Sequence, residues 1–332
     1  AADIFSWAMD VISLILWTGR HFGRLVPVPR PPLTWVYLCY LGLILAFFGS
    51  WNQKGQGLSA QIRPLVLGCI CLTLIMIPAG QYCLRRQQPL IFDFISVGQG
   101  DSILVTKGAH AVLIDAGGAR SGLDIGRFVV GPHLLRRGVT HLDLVVITHS
   151  HPDHVGGMPF VLDRFSVGQV WTNCAHDQGF QDVTRISALK SIPLSVVQCG
   201  DRLILKDLKI HVLHPQVRHT HSRGLDLNLH SVVVRIGDEH MTGLFMADAD
   251  GFGELSVAHG GDDLRADVLK VAHHGSARSC QDIFLEAVRP RLAVIACGHN
   301  NPFGLPAPEV LQRLRARGID IYRTDCNGGV QI

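Results

Sequence analysis

Hydrophobic and polar positions divide the chain at about residue 88. The run Pro32 to Ser50 (PLTWVYLCYLGLILAFFGS) carries no charge, and neither does Pro64 to Tyr82 (PLVLGCICLTLIMIPAGQY). Uncharged stretches of about 20 residues match the length a helix needs to cross a bilayer, so both read as membrane spans, near 32–50 and 64–82. Two buried helices of a soluble protein are the alternative. Trp35 and Tyr37 sit near one end as interface anchors would, and Arg85 and Arg86 follow the second run. The short polar loop 51–63 makes the pair a hairpin with both outer flanks on one side. Arg20, Arg24, Arg30, Arg85 and Arg86 share that side, which the positive-inside rule makes the cytoplasm. Ala1 to Trp17, interrupted by Asp3 and Asp10, suits an amphipathic interfacial helix or a short span. No basic leader with a cleavage site precedes these runs, so the chain reads as the middle of a longer protein.

After Arg86 the pattern changes to short apolar runs separated by glycine-containing turns. LIFDFISV, SILVTKG, HAVLIDAGG, LDLVVITHS and SVGQVWTN are each strand-sized. Helical segments follow later, from Gln281 to Val288 and from Pro308 to Arg317. The second has Pro308 at its start and Gly318 just past its end, the expected boundary residues. Strands, a helix, strands again and a helix predict an α/β fold of two sheets with outer helices.

Composition narrows the class. With 332 residues, 47% hydrophobic and 17% charged, the chain is neither disordered nor fibrous, and 35 glycines without a period are not collagen. Nine scattered cysteines without paired spacing exclude a zinc ribbon or disulfide scaffold and suit a reducing compartment. Residues 1–90 hold seven basic against two acidic residues, a net of +5; the rest holds 23 against 25, or −2. The second part therefore lacks the global basicity that would by itself indicate nucleic-acid binding, and a polyanion must be held locally. Of 18 histidines only His21 precedes residue 110, which points to metal chemistry in that second part.

The strongest chemical signal is VVITHSHPDHVGG, Val145 to Gly157, where an apolar strand runs directly into His149, His151, Asp153 and His154. In an extended loop, alternate residues point the same way. His149 and His151 would then grip one ion, and Asp153 and His154, across the turn at Pro152, a second, with Gly156 and Gly157 opening a short helix. Asp153 is also placed to orient a nucleophile, so Asp153 and His154 are the candidate catalytic pair. Two ions need further ligands. Asp248, after GLFMA, could bridge them or merely end its strand. His273 and His274 follow DVLKVA, and at least one should reach the site. His230 in DLNLHSVVV is either a ligand or a packing histidine; His214, His219, His221 and His299 are weaker candidates. Asp115, in LIDAGG, could orient a ligand histidine or cap its turn. Imidazole and carboxylate donors with no cysteine among them favour two divalent ions, Zn or Mn. Such a pair generates a nucleophile from water at neutral pH and stabilises charge on a phosphoryl or acyl oxygen, which implies hydrolysis.

These residues resemble a known family. HSHPDH with IDAGG upstream is similar to the metallo-β-lactamase fold. VGQGDSILV (Val97 to Val105), DVLKVAHHGS (Asp267 to Ser276), PEVLQRLRARG (Pro308 to Gly318) and YRTDCNGG (Tyr322 to Gly329) resemble the C-terminal domain of ComEC-type competence proteins, the inner-membrane DNA-uptake channels of naturally transformable bacteria. The resemblance implies an αββα metallo-β-lactamase sandwich over 89–332, preceded by a hydrophobic transmembrane helical segment, the end of a membrane competence domain, over 1–88. It implies a metal site at one edge facing the cytoplasm, with nuclease activity on the DNA strand that is not imported. His149, His151, Asp153, His154, Asp248 and the His273–His274 pair match ligand positions. Two positions depart from the family's habit: Leu305 and Ala307 flank Pro306 where histidine is frequent, and Ala277 precedes Arg278 where a basic residue usually follows HHGS.

Three functions follow for testing: a membrane-anchored nuclease serving DNA uptake, with DNA (single- or double-stranded), the rest of the channel and the lipid bilayer as partners; a metallo-hydrolase of a small phosphodiester or ester; or an inactive DNA-binding module. Seven arginines from Arg278 onward face five acids there. Arg278, Arg313 and Arg317 are the candidate DNA contacts, against the alternative of a solvated helix face.

Overall fold

The computed structural model describes residues 88–118, 122–221 and 226–332. The runs at 32–50 and 64–82, the segment 1–17 and their flanking arginines lie outside the described residues. No helix among the described residues is long and apolar enough to cross a membrane.

Two seven-stranded sheets form the centre. The first orders its strands Val330–Gln331, Ile91–Phe94, Ile103–Lys107, His110–Ile114, Leu144–Ile147, Val170–Thr172 and Leu194–Val196. The second orders Arg202–Leu205, Leu208–His214, Val233–Gly237, Thr242–Phe245, Val268–Lys270, Leu292–Ile295 and Asp320–Arg323. In each sheet the first four strands pair antiparallel and the remaining pairings are parallel. Parallel neighbours need crossovers, and the helices Gly131–Arg136, Met158–Arg164, Gln181–Leu189, Phe252–Ala258, Asp282–Val288 and Pro308–Ala316 supply them.

Period-two alternation sorts side chains into three cores. Phe92, Phe94, Val112, Ile114 and Val146 of the first sheet meet Ile210, Val234, Ile236, Phe245 and Val294 of the second in a central layer. On the outer side of the first sheet, Leu104, Leu113, Val145 and Ile147 pack against Val130, Leu134, Val161 and Val183. On the outer side of the second, Leu244, Leu269, Ala293 and Ile295 pack against Val257, Phe284, Val310 and Leu314. The order helix, sheet, sheet, helix follows, and the carboxyl ends of parallel strands from both sheets open on one edge, the usual place for a site in open α/β sheets.

One local expectation needs correction. The segment after His151 is a short helix, Pro152–Val155, instead of an extended loop, and Gly156 and Gly157 link it to Met158–Arg164. Pro152 at the first helical position has its φ preset for the turn.

Candidate metal centre

The strand Leu144–Ile147 delivers Thr148 and His149 to the edge, and Asp115 stands at the end of the neighbouring strand in a left-handed conformation with φ 54°. The Asp115 carboxylate accepts the Thr148 N–H at 2.8 Å and the Thr148 hydroxyl at 2.7 Å, which fixes it in place. Its Oδ2 also lies 2.8 Å from His154 Nδ1. A carboxylate on one ring nitrogen sets the tautomer and aims the other nitrogen outward. His154 Nε2 is accordingly directed at Asp248 Oδ2, 3.3 Å away.

Asp248 is the hub. Its Oδ2 lies 3.6 Å from His274 Nε2, 3.9 Å from His273 Nε2 and 4.0 Å from His149 Nε2, so four imidazoles converge on one buried carboxylate oxygen. His273 and His274 reach it because both adopt left-handed backbone, φ 47° and 53°, immediately after their strand. Two such non-glycine residues in succession store strain, which tends to mark functional turns. His274 Nδ1 donates to the Ala296 carbonyl at 2.8 Å, which leaves Nε2 facing Asp153 Oδ2 at 3.5 Å. His273 Nδ1 lies 3.0 Å from Asp250 Oδ2. His151 Nδ1 is 3.0 Å from His149 Nε2.

The helix Pro152–Val155 is seated by two glycines. A Cβ on Gly118 would stand 1.5 Å from the Pro152 carbonyl oxygen, and one on Gly100, at φ 133°, would stand 2.1 Å from the Asp153 carbonyl oxygen. Only glycine permits backbones this close.

Donor atoms within 4.8 Å of one another form four sets: His149, His154 and Asp248; Asp153, His154 and His274; Asp101, Asp115 and His154; Asp101, Asp248 and His274. The short helix thus turns His154 back beside His149. These sets do not include His151, His273 or His230. The His230 ring instead stacks against His214 with centroids 6.3 Å apart. The three arginines are all engaged within the chain: Arg278 with Asp250 at 3.1 Å, Arg313 with the Ala277 and Ser279 carbonyls, and Arg317 with Asp282 at 2.8 Å.

Two residues of the centre were not singled out from the sequence. Asp101, from the GQGDS turn, is buried and lies 3.5 Å from His274 Nδ1 and 3.8 Å from His154 Nδ1. Lys270, fully buried, forms an ion pair with it and donates to the Ala247 carbonyl. A lysine inside the otherwise apolar strand VLK was the available signal, since buried lysines are almost always paired.

Burial and neighbouring charges compete at each titratable group of the cluster. Burial drives the Asp115 carboxyl above its ordinary range, against the pull of His154. Burial opposes ionisation of Asp248 as well, but the charges of His274 and His154 hold its carboxyl well below the ordinary value. His154, despite burial, is raised well above the ordinary imidazole value by Asp248 and Asp115, whereas burial and the neighbouring His154 push His149 well down. Asp153 is one-third exposed; against its partial burial, the His274 imidazole beside it holds its carboxyl well below the usual carboxylate range.

Asp248 Oδ1, His154 Nε2 and His274 Nε2 are buried and have no hydrogen-bond partner among the described residues. Converging lone pairs of this kind are what a divalent ion satisfies, so the donor set fits one. The centre opens on a cavity of about 650 Å³ walled by Gln99, His151, Asp153, Asp248, His274 and Phe303, among others.

A sequence model of the Metallo-beta-lactamase superfamily matches residues 95–299. Among curated proteins, the chain is 31% identical to ComE operon protein 3 of Bacillus subtilis (strain 168), over 98% of this chain and 43% of that protein. It is 27% identical to competence protein ComA of Neisseria gonorrhoeae, over 98% of this chain and 46% of that protein. It is 28% identical to recombination protein 2 of Haemophilus influenzae, over 72% of this chain and 28% of that protein. The chain spans less than half the length of each of these relatives.

Proposed function

Because the chain belongs to the metallo-beta-lactamase superfamily, we propose that residues 89–332 form a metal-dependent phosphodiesterase that degrades the non-imported DNA strand during natural transformation. The observation that carries this is the convergence of His149, His154, His273 and His274 on the Asp248 carboxylate beside an open cavity. The residues that would hold two divalent ions, Zn or Mn, are His149, His151, Asp153, His154, Asp248, His273 and His274, with Asp248 shared; His230 is the outlying candidate. Such ions supply Lewis acidity toward a phosphoryl oxygen and lower the pKa of a water to near neutrality.

The chain's own residues do the rest. Asp153 presents an ionised carboxylate to the cavity, where it orients the attacking water by accepting a hydrogen bond from it. Asp115 holds His154 through Nδ1 and keeps Nε2 aimed at the centre. Arg278 lies beside the centre, with its side chain 68% exposed, and is the arginine best placed for a DNA phosphate. Similarity to competence proteins over nearly the whole chain supports the DNA-uptake setting. In this reading residues 1–88 are the end of a channel's transmembrane domain in the bacterial inner membrane, and the hydrolase domain faces the cytoplasm. The rest of the channel and the bilayer are its partners.

A second reading, hydrolysis of a small phosphodiester or ester, is favoured by the intramolecular engagement of Arg313 and Arg317, which removes cationic surface a duplex would need. The test is hydrolysis of single- and double-stranded DNA by the full chain, stripped of metal and resupplied with Mn or Zn. Metal-dependent cleavage of DNA that disappears in Asp153→Ala, with an unchanged circular dichroism spectrum, is expected. Cleavage of small diesters alone would overturn the nuclease reading in favour of the second.

A further inference from the structure

Beside the metal centre is a second cleft, of about 510 Å³, that the reaction so far described does not use. Its walls include Phe252, Ile283, Leu255, Arg278 and Asn228. Phe252 is 77% exposed and Ile283 56%. A single exposed phenylalanine is ordinary. Here the ring and the isoleucine line one concavity, and that concavity shares Asn228 with the metal-facing cavity. Asn228 Nδ2 lies 3.4 Å from His273 Nε2, so the cleft begins where the metal centre ends.

Charge decides what such a cleft can accept. Asp226, Asp250 and Asp282 also line it, against the one guanidinium of Arg278. Each acid is already engaged. Asp250 meets His273, Ser276 and Arg278; Asp282 meets Arg317; and Asp226 accepts the N–H groups of Asn228 and Leu229. Three carboxylates against one guanidinium disfavour a phosphate inside the cleft, so a phosphate met by Arg278 lies at the exposed rim. The carboxylates suit a flat, uncharged group whose exocyclic amines donate hydrogen bonds and whose face covers an exposed ring. That description is a nucleobase.

We propose that this cleft takes one unpaired base of a single-stranded nucleic acid, stacked on Phe252, while an adjoining phosphate of the same strand lies at the metal centre. The proposal rests on the nuclease reading and names its substrate class. A base held in a duplex has no free face for Phe252, so the cleft selects single strands. The metal-facing cavity carries its own phenylalanine, Phe303, 53% exposed, where a second base of the same strand can stack.

The experiment compares the full chain with Phe252→Ala and Phe252→Trp on three substrates: a single-stranded oligonucleotide, its duplex, and a strand of equal length in which every base is replaced by an abasic sugar. Stacking on one aromatic side chain predicts that Phe252→Ala raises KM on the base-bearing strand about 5- to 150-fold. On the abasic strand KM and kcat should be the same for both proteins, and Phe252→Trp should restore the wild-type KM. An unchanged KM on the base-bearing strand, or an equal loss on both strands, overturns the proposal. If the wild type cleaves neither strand with Mn or Zn, the nuclease reading falls by itself. The cleft is then read by fluorescence anisotropy of a labelled strand: tighter binding by wild type than by Phe252→Ala on bases alone sustains it, and equal binding overturns it.

Discussion

Lys270, without any exposed surface, pairs with Asp101 directly behind His154 and His274. One partner comes from the strand Val268–Lys270 of the second sheet and the other from a turn after the strand Ile91–Phe94 of the first, so the ion pair ties the two halves together under the candidate metal centre. Breaking a buried pair leaves an uncompensated charge and costs about 3–5 kcal/mol, whereas removing both charges costs much less. Lys270→Met should therefore lower the free energy of unfolding in urea by about that amount, and Lys270→Met with Asp101→Asn should recover part of it. Equal losses in the single and double variants would show that the pair carries no coupling.

The approach of Gly118 to the Pro152 carbonyl predicts that Gly118→Ala pushes the helix Pro152–Val155 out of place, because the clash is with backbone and not with a yielding side chain. Asp153 and His154 travel with that helix. Misplacement by about 1 Å costs on the order of 100-fold in rate. Hydrolysis should fall by about that factor while the far-ultraviolet dichroism is kept. Wild-type turnover in Gly118→Ala would mean that the loop relaxes without moving its donors.

Asp248 stands between His149 and His154 on one side and His274 on the other, and it belongs to two of the donor sets. If two ions share it, the loaded wild type should contain two equivalents of Mn or Zn by elemental analysis, and Asp248→Ala about one or fewer. A stoichiometry near one that Asp248→Ala leaves unchanged would exclude a shared carboxylate.

How far the sequence reveals this centre depends on how local each signal is. LIFDFISV and HAVLIDAGG announce strands because each is a strand-length apolar run bounded by turn residues, and both contribute a strand to the first sheet. His149, His151, Asp153 and His154 are conspicuous because the donors are crowded into six positions. Grouping is harder to read. His154 joins His149 only because Pro152 starts a helical turn, and Asp101 matters only because Lys270 arrives from another sheet. The direction in which His230 or Arg313 turns is set by what packs beside it, His214 in one case and two carbonyls in the other, and no spacing encodes that.

Glu254 makes stability depend on pH. Its carboxylate is buried and accepts the Cys280 and Gln281 N–H groups, at 2.7 and 2.9 Å, ahead of the helix Asp282–Val288. Burial pushes its pKa from the ordinary 4.5 up to about 7, although the two N–H groups pull it down. The folded state thus keeps a proton that the unfolded chain has already lost. The associated stability is fully present below about pH 4.5 and is lost as pH rises through about 7, on the order of 3 kcal/mol in all. Glu254→Gln should flatten the stability profile across this window. A wild-type and a variant profile that run parallel from pH 4.5 to 7 would contradict the assignment.

Salt dependence separates Arg278 from Arg313 as DNA contacts. Arg313 and Arg317 lie one helical turn apart and share a face, which on sequence grounds makes them candidates for a backbone track or a solvated helix face. In the structure, however, Arg313 Nη1 donates to the carbonyls of Ala277 and Ser279, at 2.9 and 2.6 Å, and so braces the turn that carries Arg278. Arg278 keeps 68% of its side chain exposed. Each lost phosphate contact lowers the magnitude of the log–log salt slope by about 0.7 for a single strand. Arg278→Ala should show that decrease in anisotropy titrations between 50 and 200 mM salt, a range of roughly the usual span for such contacts. Arg313→Ala should leave the slope alone and instead lower stability modestly, since two partly solvated carbonyls lose their donor, by about 0.5–1.5 kcal/mol. A reduced slope in Arg313→Ala with wild-type stability would return that arginine to the DNA path.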